Sequence, residues 1–125
     1  MTQSPKFANL PLKTALRGDW IIVRVTEPSL MDTRLIEQLG EAMRSLIDAG
    51  HIRIVLDLSR VEYISSRMVG LIVDQHQAAN SAKGQLVLCG LSDKIVELLK
   101  LTRLNKMFRV EPDLQTAADK LGVVK

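Results

Sequence analysis

The sequence predicts an α/β domain, and three observations carry the prediction. Short runs dense in β-branched and other aliphatic residues recur along the chain: "DWIIVRV" (19–25), "IRIVLDL" (52–58) and "QLVLCGL" (85–91). Between them, apolar residues repeat at three- and four-residue steps, the period of a helix with one buried face. Strands that alternate with helices pack as a mainly parallel or mixed sheet.

Each element follows in turn. Residues 1–11 hold two prolines and small polar residues and read as a loose lead-in, with one domain over 12–125. "LKTALRG" (12–18) has weak strand character, and Gly18-Asp19 reads as a hairpin turn into the strand at 19–25. "TEPSLMD" breaks the pattern through Pro28. From Asp32, a suitable N-cap, Leu35, Ile36, Leu39, Ala42, Met43, Leu46 and Ile47 mark a helix that Gly50 closes. "IRIVLDL" is apolar almost throughout, as a strand buried on both faces must be.

A second helix begins at Ser65 or Ser66 and runs to about Ala82, closed by Gly84. After the strand at 85–91, Ser92 caps a third helix, with Asp93 in its first turn where the helix dipole favours a negative charge. "KMFRV" (106–110) reads as a short strand, and Pro112 and Asp113 open a last helix that stops at Gly122. The order β-β-α-β-α-β-α-β-α gives one domain whose first hairpin supplies an antiparallel edge, with no internal repeat or linker.

Composition narrows the function classes. A chain of 125 residues with 46% apolar and 25% charged content has the makings of a packed core. Only 3% of residues are aromatic, and Phe7, Trp20, Tyr63 and Phe108 are too scattered to form a base-stacking platform. The net charge of +3 is spread without a basic run, which argues against a nucleic-acid partner. Cys89 is alone and reads as a buried thiol, and no Cys/His cluster has metal-ligand spacing. No stretch reaches the ~18 apolar residues of a membrane span. The start "MTQSPKFANL" lacks a basic segment followed by an apolar one, so a cytoplasmic protein is expected.

In open α/β sheets, sites gather where strand ends meet helix starts. Three such junctions are readable: "TEPSLMD", "LDLSRVEYISS" and "GLSDK". Only the second has paired serines, Ser65 and Ser66. A serine nucleophile requires a base in hydrogen-bond reach. His76 lies ten residues beyond Ser66, roughly 15 Å along a helix, and His51 sits at a turn. The G-x-S-x-G elbow is missing. Asp57 and Glu62 flank the loop, and Asp32 and Asp74 lie on helices, but nothing fixes them as an acid/base pair or a Mg²⁺ site. No glycine-rich phosphate loop is present, and Met43, Met68 and Met107 read as filler. No cofactor and no enzymatic activity are therefore expected. Two compatible readings of the serines remain: a helix N-cap, or a phosphate acceptor whose added charge the helix N-terminus stabilises, with Arg67 partly neutralising it.

The segments "IVLDLSRVEYISSRMVGLIV" and "AKGQLVLCGLSDKIVELLKLTRLNKMFRV" resemble the STAS domain of bacterial anti-sigma factor antagonists, with similarity over roughly residues 12–122. The resemblance implies a mixed sheet of four to five strands, with about four helices mostly on one face. It also implies a switch. The unphosphorylated antagonist binds an anti-sigma factor that is also a serine kinase, releasing the sigma factor; phosphorylation at the helix start breaks the complex, and a serine phosphatase resets it.

In the family pattern Phe-(Ile/Met)-Asp-Ser-Ser/Ala-Gly-Leu, Tyr63 and Ile64 match the first two positions. Ser65 falls on the aspartate, Ser66 on the phosphoacceptor, and Arg67 and Met68 on the small residue and the glycine. The resemblance therefore assigns Ser66 as acceptor, with Ser65 the alternative, and Asp57, Ser65, Ser66, Arg67 and Met68 as a partner-facing surface. The chain is expected to be a monomer or weak dimer. The second reading, favoured by Arg67 and Met68, is a STAS interaction subunit without a phosphoswitch, in a signalling assembly or beside a membrane transporter.

Overall fold

The computed structural model describes residues 10–122. Eleven elements follow in order: β1 (Leu12–Arg17), β2 (Trp20–Val25), β3 (Ser29–Leu30), α1 (Thr33–Asp48), β4 (Arg53–Asp57), β5 (Tyr63–Ile64), α2 (Ser66–Ser81), β6 (Gln85–Cys89), α3 (Asp93–Leu101), β7 (Arg109–Glu111) and α4 (Leu114–Leu121). The expected lead-in over 1–11 falls mostly outside the described residues. Its last two members belong to the fold: Leu10 packs on the core, and the Pro11 carbonyl accepts a hydrogen bond from the Thr26 amide at 2.8 Å.

The main sheet has the order β1-β2-β4-β6-β7. β1 and β2 are antiparallel through a two-residue turn, with Arg17 opposite Trp20. Gly18 takes φ +61° there, the positive φ that a II′ turn needs at its first central residue. The remaining pairings are parallel. From β2 onward each crossover steps one strand in the same direction, so right-handed connections lay α1, α2 and α3 on a single face. There they cover Ile21, Val23, Ile54, Leu56, Leu86 and Leu88. α4, which follows the last strand, seals the other face through Ala117 and Ala118 against Trp20, Val55, Val87 and Cys89. The mixed main sheet has five strands and three of the four helices share one face, in line with the expected four to five strands and helices mostly on one face.

Three details correct the sequence reading. "KMFRV" is not a strand over its full length. Met107 lies in a turn, its amide donating to the Leu104 carbonyl at 3.0 Å, and Phe108 is buried in the core, so the ladder with β6 starts only at Arg109. The left-handed residue that ends α2 is Lys83, at φ +66°, not Gly84. Gly84 is there for space: a Cβ on it would lie 1.9 Å from the Ile52 carbonyl oxygen. Finally, the segment read only as a break contains β3, which pairs in parallel with β5.

Candidate functional site

The serine junction is built by that small β3–β5 pair. Ser29 stands opposite Tyr63 and Leu30 opposite Ile64, and the Leu30 carbonyl accepts from the Ser65 amide at 2.9 Å. The Pro28 carbonyl receives the Glu62 and Tyr63 amides at 2.7 and 3.2 Å. The chain entering α2 is therefore pinned to the chain entering α1. The start of α3 joins them, because the Ser92 hydroxyl donates to the Glu62 carbonyl at 3.0 Å while accepting from the Ile95 amide at 3.2 Å. Three capped helix starts, at Asp32, Ser65 and Ser92, surround this pair of short strands.

The two serines have different environments. Ser65 is the N-cap: its extended backbone directs Oγ to accept from the Met68 amide at 3.2 Å. Aspartate and serine are both strong N-caps, so a serine in place of an aspartate keeps the helix start intact. Ser66 is the first helical residue and is exposed. Its hydroxyl makes no hydrogen bond among the described residues.

Arg67 does not stand free beside Ser66. Its Nη2 donates to Glu37 Oε1 at 2.7 Å, an exposed ion pair between α2 and α1. Two expected members of the partner-facing surface are corrected. Met68 is fully buried (0% exposed), so its bulk points into the core and leaves the surface at Ser66 uncrowded. Asp57 is 1% exposed: Oδ2 accepts from Arg24 Nε at 2.9 Å and Oδ1 from the Ser59 amide at 3.0 Å. It ties β2 to β4 and starts the loop that leads to the serines. It is a buried strut, not a contact surface.

The other titratable candidates serve the fold. Cys89, opposite Asp57 in the ladder, has its thiol pushed up to about 12, chiefly by burial, with the Asp57 and Asp113 carboxylates adding to it. A thiol held in that form is a poor nucleophile. His76 packs edge-on against Phe108, with ring centroids 5.2 Å apart, and its Nε2 meets the Asn80 amide nitrogen at 3.1 Å.

Residues that sequence reasoning missed lie beside the serines. Tyr63 and Met31 are large and exposed there, and the Lys94 ammonium sits 4.0 Å over the Tyr63 ring and donates to its hydroxyl. That hydrogen bond holds the Lys94 pKa above its ordinary value. Tyr63 and Lys94 are 31 positions apart, so no local pattern announces the contact.

The sequence profile of the STAS domain matches residues 12–117, nearly the whole fold. The chain belongs to the STAS domain family. BtrV of Bordetella bronchiseptica, a candidate anti-sigma factor antagonist, is 32% identical over 82 residues, covering 66% of this chain and 71% of BtrV. The anti-sigma-B factor antagonist of Staphylococcus aureus (strain NCTC 8325 / PS 47) is 28% identical over 102 residues, 82% of this chain and 93% of that protein.

The fold of this STAS domain is also that of the Bacillus anti-sigma factor antagonist SpoIIAA. Its unphosphorylated form superposes with a TM-score of 0.73 at 16% identity, covering 91% of this chain and 99% of SpoIIAA. Its phosphorylated form gives 0.70 at 17% identity, covering 88% and 98%. No helix of the STAS domain is long and apolar enough to cross a membrane, among the described residues.

Proposed function

We propose that the protein is an anti-sigma factor antagonist switched by phosphorylation of Ser66. It binds an anti-sigma factor that is also a serine kinase, frees the sigma factor and so regulates transcription indirectly. Phosphorylation by that kinase ends the complex, and a serine phosphatase restores it. The observation that carries this reading is the division of labour at the junction: Ser65 is committed to capping α2, and Ser66 offers an exposed hydroxyl at the first helical position. The names of the relatives support it, and SpoIIAA is a protein of this fold with a phosphorylated form.

The proposed chemistry suits the place. A phosphoryl group on Ser66 adds about −1.5 to −2 charge at a helix N-terminus, where the dipole and free amides stabilise it. A partner surface that fits a neutral hydroxyl then meets a bulky dianion and must desolvate it, which drives release. Kinase and phosphatase supply the catalysis; this chain supplies only the acceptor oxygen and the surface around it.

Phosphopeptide mapping of the protein purified from its native host, with and without stress, tests the reading. One phosphate on the peptide carrying Ser66, absent from a Ser66→Ala chain and varying with stress, is the expected result. A chain that captures the host's anti-sigma factor yet never carries phosphate at Ser66 or Ser65 would instead be a constitutive STAS interaction subunit.

A further inference from the structure

We infer that Tyr63, held in place by Lys94, anchors the kinase partner on this face, with Met31 beside it, in an apolar pocket with a polar rim. This rests on Ser66 being the acceptor. A protein interface of standard size covers ~800 Å² on each side, a disc of about 16 Å radius. A kinase that transfers phosphate to the Ser66 hydroxyl must centre near that oxygen. Tyr63 lies three residues away, at most about 11 Å along the backbone. Met31 follows Leu30, whose carbonyl is bonded to the Ser65 amide. Both side chains therefore fall inside the covered disc.

They are also the residue types that anchor interfaces. Met31 is 56% and Tyr63 43% exposed, though both adjoin buried neighbours, Leu30 and Ile64. Of the other exposed large apolar side chains, Leu101 and Met107 lie at the end of α3 and before β7, and Leu16 and Val110 lie on the edge strands β1 and β7.

Tyr63 is ordered before any partner arrives. Its backbone is paired to β3, one ring face carries the Lys94 ammonium, and its hydroxyl accepts from the same group. A ring already fixed loses little conformational freedom on binding. The charged side chains at the three helix starts are of mixed sign: Asp32, Glu37, Glu62 and Asp93 alongside Arg34, Arg67 and Lys94. A surface of mixed sign, with no block of one charge, selects its partner by shape and apolar contact rather than by opposite charge, so its affinity responds weakly to salt. Lys94 is a positioning residue here, acting through the ring.

The test is the affinity of the host's purified anti-sigma factor kinase for wild type, Ser66→Asp, Tyr63→Ala, Lys94→Met and Leu101→Ala chains, at low and high salt. Tyr63→Ala should weaken binding about tenfold or more, Lys94→Met by less, and Leu101→Ala by under about twofold. Wild-type affinity should move less than about threefold with salt. Hydroxyl-radical footprinting of the wild-type complex should protect Tyr63 and Met31, a readout independent of any variant's folding. Binding of Tyr63→Ala within about twofold of wild type, or an unprotected Tyr63, overturns the anchor. A steep salt dependence overturns the apolar pocket. Failure of Ser66→Asp to weaken binding contradicts the phosphoswitch instead, so the two failures are distinguishable.

Discussion

At the scale of single residues, the two serines are expected to divide stability from the proposed switching. Ser65→Ala removes the N-cap bond to Met68 and should cost about 1 kcal/mol, read as a lower urea midpoint with unchanged slope. Ser66→Ala, at an exposed position with no hydrogen bond to lose among the described residues, should stay within about 0.5 kcal/mol of wild type while abolishing phosphate uptake. Asp57→Ala should cost more, about 1–3 kcal/mol by the same measurement, since it strands the Ser59 amide and the partly exposed Arg24. The serine pair was legible in the sequence because a polar doublet between two apolar runs marks a strand-to-helix junction. The depth of Asp57 and Met68 was not. An aspartate ending a strand looks the same whether it faces solvent or an arginine from a strand 33 positions away.

At the scale of elements, two glycines on the helix-bearing side test different kinds of closeness. Gly84→Ala sets a Cβ against the Ile52 backbone carbonyl, which is held in place by its bond from Gln85 at 2.8 Å. It should cost about 3 kcal/mol or more. Gly40→Ala meets only the Leu71 side-chain tip at 2.5 Å, which can rotate away, so a smaller loss of about 1 kcal/mol or less is expected by denaturation.

On the opposite face, β7 and α4 are tied by Glu111, buried between Lys120 and Arg109 at 3.2 Å each. The Lys120 bond, with Arg109 adding, holds its carboxyl below the usual value of 4.5. The folded pKa being the lower one, this stabilisation is complete above about 4.5 and fades as the pH falls through the folded pKa. Glu111→Gln should therefore flatten the acid limb of stability against pH below about 4.5, with the rest of the curve keeping its shape. The long strands were legible from their aliphatic runs, and the helices from their period and caps. β3 and β5 escaped because two residues carry no periodicity, and β7 was displaced because an apolar Phe108 fits a core plug as well as a strand.

At the scale of the whole molecule, one-directional crossovers gather α1, α2 and α3 on one face and bring three helix starts to a single edge of the sheet. α4 covers the back and leaves that edge open. The sheet, its buried struts and its caps hold a small surface on which the Ser66 hydroxyl is exposed at the start of α2. This hydroxyl is the proposed switch. Its most direct test incubates the chain with the host's anti-sigma factor kinase and ATP, maps the phosphate by mass spectrometry, and follows the complex by size-exclusion chromatography. Phosphate on Ser66 with loss of the complex, both abolished by Ser66→Ala and the loss mimicked by Ser66→Asp, is the predicted result. An unmodified Ser66, with a Ser66→Asp chain that binds as tightly as wild type, would rule the switch out.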